Sequence, residues 1–474
     1  MTMAYADDLA AVKDALGPEL AERLAHLDGV RTLPRAAPRL IAPPERGSVT
    51  DYDVLLAGGG LSLLYAPLLA ASGLRVAVLE RTRAGASHRE WNASYPELLA
   101  LVRVGLLSEA ELGALIVARY REGVCAFHGG GSYPVRGVLD HAVDAGALLT
   151  LARHKAEALG AHLLDGHEVL ALGEGPDAVR VLARDAGGRE RELSAALVLD
   201  ARGAASPYAT ADLVCPTVGG VVRGLEMDTQ VGDILVTIDD ADAGRQHVWE
   251  GFPGHPGETT VYVFYYARRG HEGTLAALYG RFFRDLGKYK RGAATMVRPT
   301  FGFIPGWSRL TPAPAPPGPR IVLVGDAAAR HSPLTYCGFG ATLRSLGPVS
   351  AAVLRAFEEG PSRALAGSVV DDAKVHRWTG ALAALIASER SQGAALNALL
   401  DAAFSTLAEL GEERYAALLR DEMHAEDFVT FLRRTSLKRP EVYADVWKGL
   451  GGASLPWAWK LFGDFVRGAP RAQP

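Results

Sequence analysis

Three groups of residues in this 474-residue chain have types and spacings that could do chemistry. Gly58 and Gly60 stand two apart at the end of the apolar run Asp53–Ala57 (DVLLA). Glycines so placed let the backbone approach a pyrophosphate that a side chain would block. Glu250 lies in Trp249-Glu250-Gly251-Phe252, a carboxylate among aromatics. Desolvation there would raise its pKa and keep it protonated as an acid. Against this, strand alternation puts Trp249 and Glu250 on opposite faces, so position alone favours an outward, solvated glutamate. His128 and His331 are further ionisable candidates, more simply read as structural. Cys125, Cys215 and Cys337 are far apart and form no CxxC pair, which excludes a disulfide scaffold, a zinc ribbon and a dithiol redox centre. No metal site is expected.

The elements that must position these residues are legible around them. After Gly60 comes a helix whose N-terminus would face the phosphates. Arg75–Leu79 (RVAVL) is the second strand, and it ends in Glu80, twenty residues beyond Gly60, where an acid accepts hydrogen bonds from a ribose. Leu63 replaces the third glycine of the GxGxxG pattern, and Pro67 falls within the helix, where a kink costing about 3 kcal/mol is expected. The uncharged stretch Val54–Leu74 is long enough for a membrane span. Its glycines and proline instead fit strand, turn and helix.

Arg320–Arg344, RIVLVGDAAARHSPLTYCGFGATLR, brings a strand to Gly325 and Asp326 and then a glycine-rich entry to a helix at Gly338 and Gly340. This resembles the GD…P…G motif of glutathione-reductase-type flavoproteins. That resemblance implies FAD, with the aspartate on the ribityl chain and the helix N-terminus at the flavin pyrimidine. Leu197–Pro207 (LVLDARGAASP), with Asp200 and Gly203, is similar to the strand-end motif that precedes that family's substrate domain. Val135, Arg136 and Leu139 resemble its R-x-x-L stretch near the phosphates. A second GxGxxG with an acidic partner is missing, which argues against a separate NAD(P)H domain.

Between Cys215 and Trp307 the pattern becomes antiparallel: strands at Asp233–Asp239, Gln246–Phe252 and Thr259–Ala267, then a helix at Gly273–Lys288. In p-hydroxybenzoate-hydroxylase-like flavoproteins a sheet of this kind covers the flavin. Phe301, Phe303, Ile304, Pro305 and Trp307 would return the chain to the first lobe. Beyond Gly347 the sequence is Ala/Leu-rich and helical, with helices expected at Thr379–Ala387 and Ala394–Leu410. It ends in LPWAWKLFGDFVRG (Leu455–Gly468), where aromatics beside Lys460 and Arg467 suit either a membrane interface or packing on the body. At the other end, Leu9, Val12, Leu16, Leu20, Leu24 and Leu27 describe one amphipathic helix before a Pro-rich linker, and Asp7 and Asp8 replace the basic start of a signal peptide.

The stretch Arg89-Glu90-Trp91-Asn92-Ala93-Ser94, followed by PELLALVRVGLLSEAEL, closely resembles the REWNIS…EL…LGLL motif of the cyanobacterial-type lycopene cyclases and their plant paralogues (the CruA/CruP group). The resemblance continues through VCAFHGG, VRGVL, VWEGFPG, TTVYVFYY, FGFIP and GDAAARHSPLTYCGFGATLRSLG, and covers about residues 50–435. Ala93, Tyr336 and Cys337 depart from the pattern. The resemblance implies acid-catalysed ring closure of a polyene end group without net redox change, with Glu250 as the acid and reduced flavin beside the cation. It implies cofactor contacts at Gly58, Gly60, Leu61, Glu80, Arg81, Trp91, Asn92, Arg136, Val169, Asp200, Gly203, Gly325, Asp326, Pro333, Gly338 and Gly340.

The expected architecture is α/β. A Rossmann-like FAD-binding domain spans 51–213 and 316–350, and an antiparallel β-sheet substrate domain spans 214–315. A helical C-terminal region covers 351–474, and residues 1–50 form an N-terminal helix and linker. The expected partners are an apolar polyene, an electron donor for the flavin and a membrane surface. The expected location is cytoplasmic, peripheral on the inner face of the membrane. A net charge of −4 argues against nucleic acid. The rival reading is an FAD-dependent monooxygenase or prenyl-chain reductase on an apolar substrate. A flavin-dependent halogenase is disfavoured because its WxWxIP signature is missing.

Overall fold

Four short apolar runs lie parallel at the centre of one sheet, in the order His162–Asp165, Val76–Glu80, Tyr52–Ala57, Glu190–Asp200. The two inner strands pack on both faces, so Val54–Ala57 and Val76–Leu79 read as unbroken apolar runs rather than alternating ones. Ile321–Leu323 adds in parallel beside the last residues of Glu190–Asp200, whose first half pairs antiparallel with Val179–Arg184 and, through it, with Glu168–Glu174. The computed structural model describes residues 3–32, 39–87, 90–209, 211–310, 318–329, 331–361, 375–388 and 393–468. Arg89 of the Trp-Asn motif, and Pro34 and Pro38 of the linker, lie outside them.

The helix after the glycine turn opens as a 3-10 turn, Leu61–Leu64, and becomes α-helical at Tyr65–Ala71. Pro67 therefore falls in the first α turn, where a missing N–H costs little, and the expected kink is replaced by this change of helix type. Leu63 is fully buried. The room that a third glycine would give is supplied opposite it by Gly85, where a Cβ would lie 3.1 Å from Leu63 Cδ2. The uncharged stretch that mimics a membrane span is strand, turn and helix. Among the described residues no helix is long and apolar enough to cross a membrane.

The second sheet runs Ala267–Arg268, Leu213–Leu225, Glu258–Phe264, Val248–Pro253, Val231–Val236, Glu122–Ala126, Ser132–Val135. Gly292–Gly306 pairs along the other side of Leu213–Leu225. All neighbours are antiparallel except Val231–Val236 with Glu122–Ala126. The three expected strands and the helix, Leu275–Tyr289, are present within a few residues. Two strands of this sheet, Glu122–Ala126 and Ser132–Val135, come from inside the 51–213 segment. Leu213–Leu225 crosses the sheet between two close partners at Gly219 and Gly220 (φ +149° and +147°), where any Cβ would strike Val261 O and Arg298 O respectively.

One face of this sheet is covered by Leu275–Tyr289, where Trp249 stacks on Tyr289 (centroids 4.8 Å apart) and on Phe282 (5.7 Å). The N-terminus contributes two helices rather than one, Met3–Leu16 and Pro18–Thr32. Gly17 takes φ +90°, which suits a helix stop, and Pro18 suits a helix start. The buried Asp28 then accepts the Leu275 N–H at 2.8 Å and the Ala276 N–H at 3.3 Å, capping a helix nearly 250 residues away. A small sheet of Trp91–Ala93, His141–Val143 and Ile116–Arg119 lies apart from both large sheets in its pairing. The C-terminal region is helical: Gly338–Glu359, Val375–Ile386, Ala394–Leu410, Glu412–Leu419, Ala425–Lys438, Val442–Leu450 and Ser454–Gly468.

Candidate functional site

A cavity of about 610 Å³ opens where the parallel strands end and the uncovered face of the second sheet begins. Such strand ends are where open α/β sheets bind ligands. Gly58, Gly60 and Leu61 line it from the first glycine turn, Glu80 and Arg81 from the end of the next strand, and Gly203 from the turn after Asp200. Val169, Gly325, Asp326 and Gly338 complete this half. At Gly60 a Cβ would meet no protein atom within 4 Å, so the position is open towards a ligand. Gly58 differs: its φ is +111° and a Cβ would lie 2.6 Å from Ala201 O, so there the glycine serves strand packing. Glu80 accepts the Gly59 N–H at 2.9 Å and the Thr82 N–H and hydroxyl at 3.0 Å, which ties the glycine turn to the second strand. The 22-residue helix Gly338–Glu359 brings its N-terminus to the cavity with no side chain capping it. That end offers N–H groups and a partial positive charge. Glycine turn, acid at the second strand's end and open helix end together fit a dinucleotide.

Four expected cofactor contacts do not line the cavity. Asp200 is fully buried behind it, where Arg202 Nη2 and Ser206 Oγ each donate to it at 2.7 Å. It therefore holds Arg202, which does line the cavity. Arg136 is 64% exposed and faces Glu412 at 3.9 Å. Pro333 is buried in the turn before Tyr336. Gly340 makes room for Glu97, whose carboxylate a Cβ there would strike. Glu97 caps its own helix through Ser94 and pairs with Arg344, which also binds Asp421 at 2.9 Å. Gly340 thus joins the Trp-Asn segment to the flavin-side helix, and Trp91 adds a ring stack on Phe339 with centroids 4.8 Å apart.

The other half of the cavity is the substrate sheet. Glu250 and Tyr262 are cross-strand partners and both line the cavity, together with Phe264, Thr217, Cys215 and Ile304. Alternation does put Trp249 and Glu250 on opposite faces, but Glu250 is only part-exposed, within a cavity rather than on the outer surface. Trp249 meets the helices and Glu250 meets the cavity. Burial pushes the Glu250 carboxyl up to about 7, opposed only by a hydrogen bond from Asn92 Nδ2 to its Oε1 at 3.1 Å. Asn92 is held in turn by the strand Trp91–Ala93 and, at Glu90 just before that strand, by Tyr262, whose hydroxyl donates to Glu90 O at 3.1 Å and accepts from Glu90 N at 3.2 Å. Tyr336 and Cys337 line the same region. Tyr336 has φ +50°, its ring lies 5.5 Å from that of Tyr266, and burial raises both its hydroxyl and the Cys337 thiol. His331 is buried beside Tyr336 and His128 does not line the cavity. Sequence reasoning missed Tyr262, Phe264, Thr217 and Cys215 as cavity residues. The alternation of TTVYVFYY from Glu250's cross-strand partner could have found the first two.

No protein-family model matches the sequence, and no curated protein matches it. Solved structures do. A geranylgeranyl bacteriochlorophyll reductase-like protein from Thermoplasma acidophilum superposes with a TM-score of 0.57 at 15% identity, over 85% of this chain and 99% of that one. p-Nitrophenol 4-monooxygenase PnpA from Pseudomonas putida DLL-E4 gives 0.57 at 16%, over 82% and 99%. Halogenase PltM in complex with phloroglucinol and FAD gives 0.51 at 16%, over 78% and 82%. This chain shares the fold of these proteins, one of which was solved with FAD bound. At these identities the likeness establishes architecture, so what the cavity does must be argued from its own residues.

Proposed function

We propose that the protein binds FAD and closes the end group of a carotenoid-like polyene by acid catalysis, without net redox change. The observation that carries this reading is Glu250: a carboxylic acid on the cavity wall, its pKa raised to about 7, among Tyr262, Phe264 and Tyr336. Gly58, Gly60, Leu61, Glu80, Arg81, Trp91, Val169, Gly203, Gly325, Asp326 and Gly338 would hold the cofactor. When bound and reduced, the flavin supplies an anionic face that steadies a nearby carbocation. Glu250 donates its proton to the terminal double bond of the polyene. The cation so formed is attacked by the neighbouring double bond, closing a six-membered ring, and loss of one ring proton restores neutrality. The Glu250 carboxylate left behind is placed to take that proton, so acid and substrate formula are both regenerated. Asn92 fixes which oxygen carries the proton, because its amide donates to Oε1 and leaves Oε2 for the substrate. The aromatic wall keeps water from the cation.

The test is incubation of the purified holoprotein with lycopene and reduced FAD. The expected result is a blue-shifted, cyclised product, with no stoichiometric NAD(P)H consumption. A second reading, a monooxygenase or prenyl-chain reductase on an apolar substrate, draws support from the fold shared with proteins described in those terms. It predicts rapid NADPH oxidation and no ring product.

A further inference from the structure

The last helix, Ser454–Gly468, is apolar on two sides. Its inner stripe packs on the body: Leu461 and Asp464 are buried, and Trp378 Nε1 donates to Asp464 Oδ2 at 3.1 Å. Its outer stripe, Leu455, Trp459, Phe462 and Val466, recurs at spacings of four, three and four, and those side chains are 66, 76, 57 and 56% exposed. The preceding helix Val442–Leu450 bares Tyr443 and Trp447, one turn apart. Soluble proteins seldom leave such a patch uncovered.

The exposed charges on these two helices have one sign. Between 442 and 468 the exposed ionisable side chains are Lys448, Lys460 and Arg467. Asp464 is buried and pairs with Arg467 at 3.1 Å, and Asp445 is part-buried and paired with Arg439 at 3.2 Å. Glu441, just upstream, is the nearest exposed acid in sequence. Large exposed aromatics midway along a helix, beside the exposed Lys460 and Arg467, match the headgroup layer of an anionic bilayer. The inner stripe also belongs to the apolar cluster that contains Tyr266, Leu334 and Tyr336. The bare face and the cavity wall are thus two ends of one packed body.

We infer that residues 442–468 form a docking surface for an anionic membrane, with Trp459 and Phe462 inserted at the headgroup level. This stands independently of the reaction proposed above. The experiment is co-sedimentation of the full-length holoprotein with phosphatidylcholine vesicles and with equimolar phosphatidylcholine–phosphatidylglycerol vesicles. Binding to the anionic vesicles is expected, falling with salt and roughly fivefold for Lys460→Gln. Trp459→Ser/Phe462→Ser should abolish binding while leaving flavin content and melting temperature unchanged, since both side chains are exposed. A protein that stays in the supernatant with anionic vesicles overturns the inference. So does a vesicle-indifferent dimer that the same double variant converts to monomer, since the face would then be an interface between copies.

Discussion

The side-chain amide of Asn92 donates to Glu250 across 3.1 Å, joining two residues 158 positions apart from two different sheets. Because Oε1 is engaged, the acid presents its other oxygen to the cavity. Ring closure should therefore follow the protonated form of Glu250. The rate should be flat below pH of about 7 and fall about tenfold per unit above it. Glu250→Gln should lose most of the activity while keeping flavin, measured by product formation over a pH series.

Asn92→Leu removes the interaction that lowers the Glu250 pKa and leaves the desolvation that raises it. The alkaline limb of the pH profile should move upward by about one to two units, the equivalent of a hydrogen bond to a charged group. Maximal rate should fall as well, since the carboxyl loses its fixed orientation. A residue needed only for folding would lower yield without moving the limb.

Glu250 also links pH to stability. Its carboxyl releases its proton near 4.5 when exposed and near 7 in the fold. The folded state therefore binds more protons through that window, so stability contributed by this group falls as pH rises from 4.5 to 7 and is level above. Chemical unfolding of the wild type and of Glu250→Gln should diverge across that range, with the glutamine variant showing the flatter dependence.

Gly58 and Gly60 should separate under substitution. Gly60→Val places its side chain in open cavity and should yield a folded protein with little bound flavin. Gly58→Val meets Ala201 from a left-handed backbone position and should lower the melting temperature itself. Flavin absorbance and thermal melts, read on the same samples, distinguish the two.

Asp28→Ala should destabilise the fold by about 1–2 kcal/mol, because two helix-start N–H groups lose their acceptor in a buried place. Denaturant unfolding measures it, and Asp28→Asn should recover part of the loss.

Much of this was readable in advance. The glycine turn, the second strand and Glu80 are local in sequence and follow from backbone sterics and apolar periodicity. The helix Ala394–Leu410 was legible for the same reason. The hairpin of Glu122–Ala126 and Ser132–Val135 was not, since its sheet is decided by the pairing of Glu122–Ala126 with Val231–Val236, a distant segment of the sequence. Asp200, Pro333 and Gly340 do not line the cavity, for a related cause. Their motifs resemble cofactor contacts, but one side chain is claimed by Arg202 and one vacancy by Glu97. Position alone favoured a solvated Glu250, because alternation says which residues share a face and nothing about what covers it.

The passage of residues 122–135 into the second sheet stitches the molecule together. The chain leaves the parallel sheet, contributes two strands to the other, and returns for the strands at 162–200 before departing again at Leu213. Neither half can be excised as a contiguous piece. The molecule should melt in a single cooperative step. A cut in either segment that crosses between the sheets should therefore unfold both sheets together rather than release one of them.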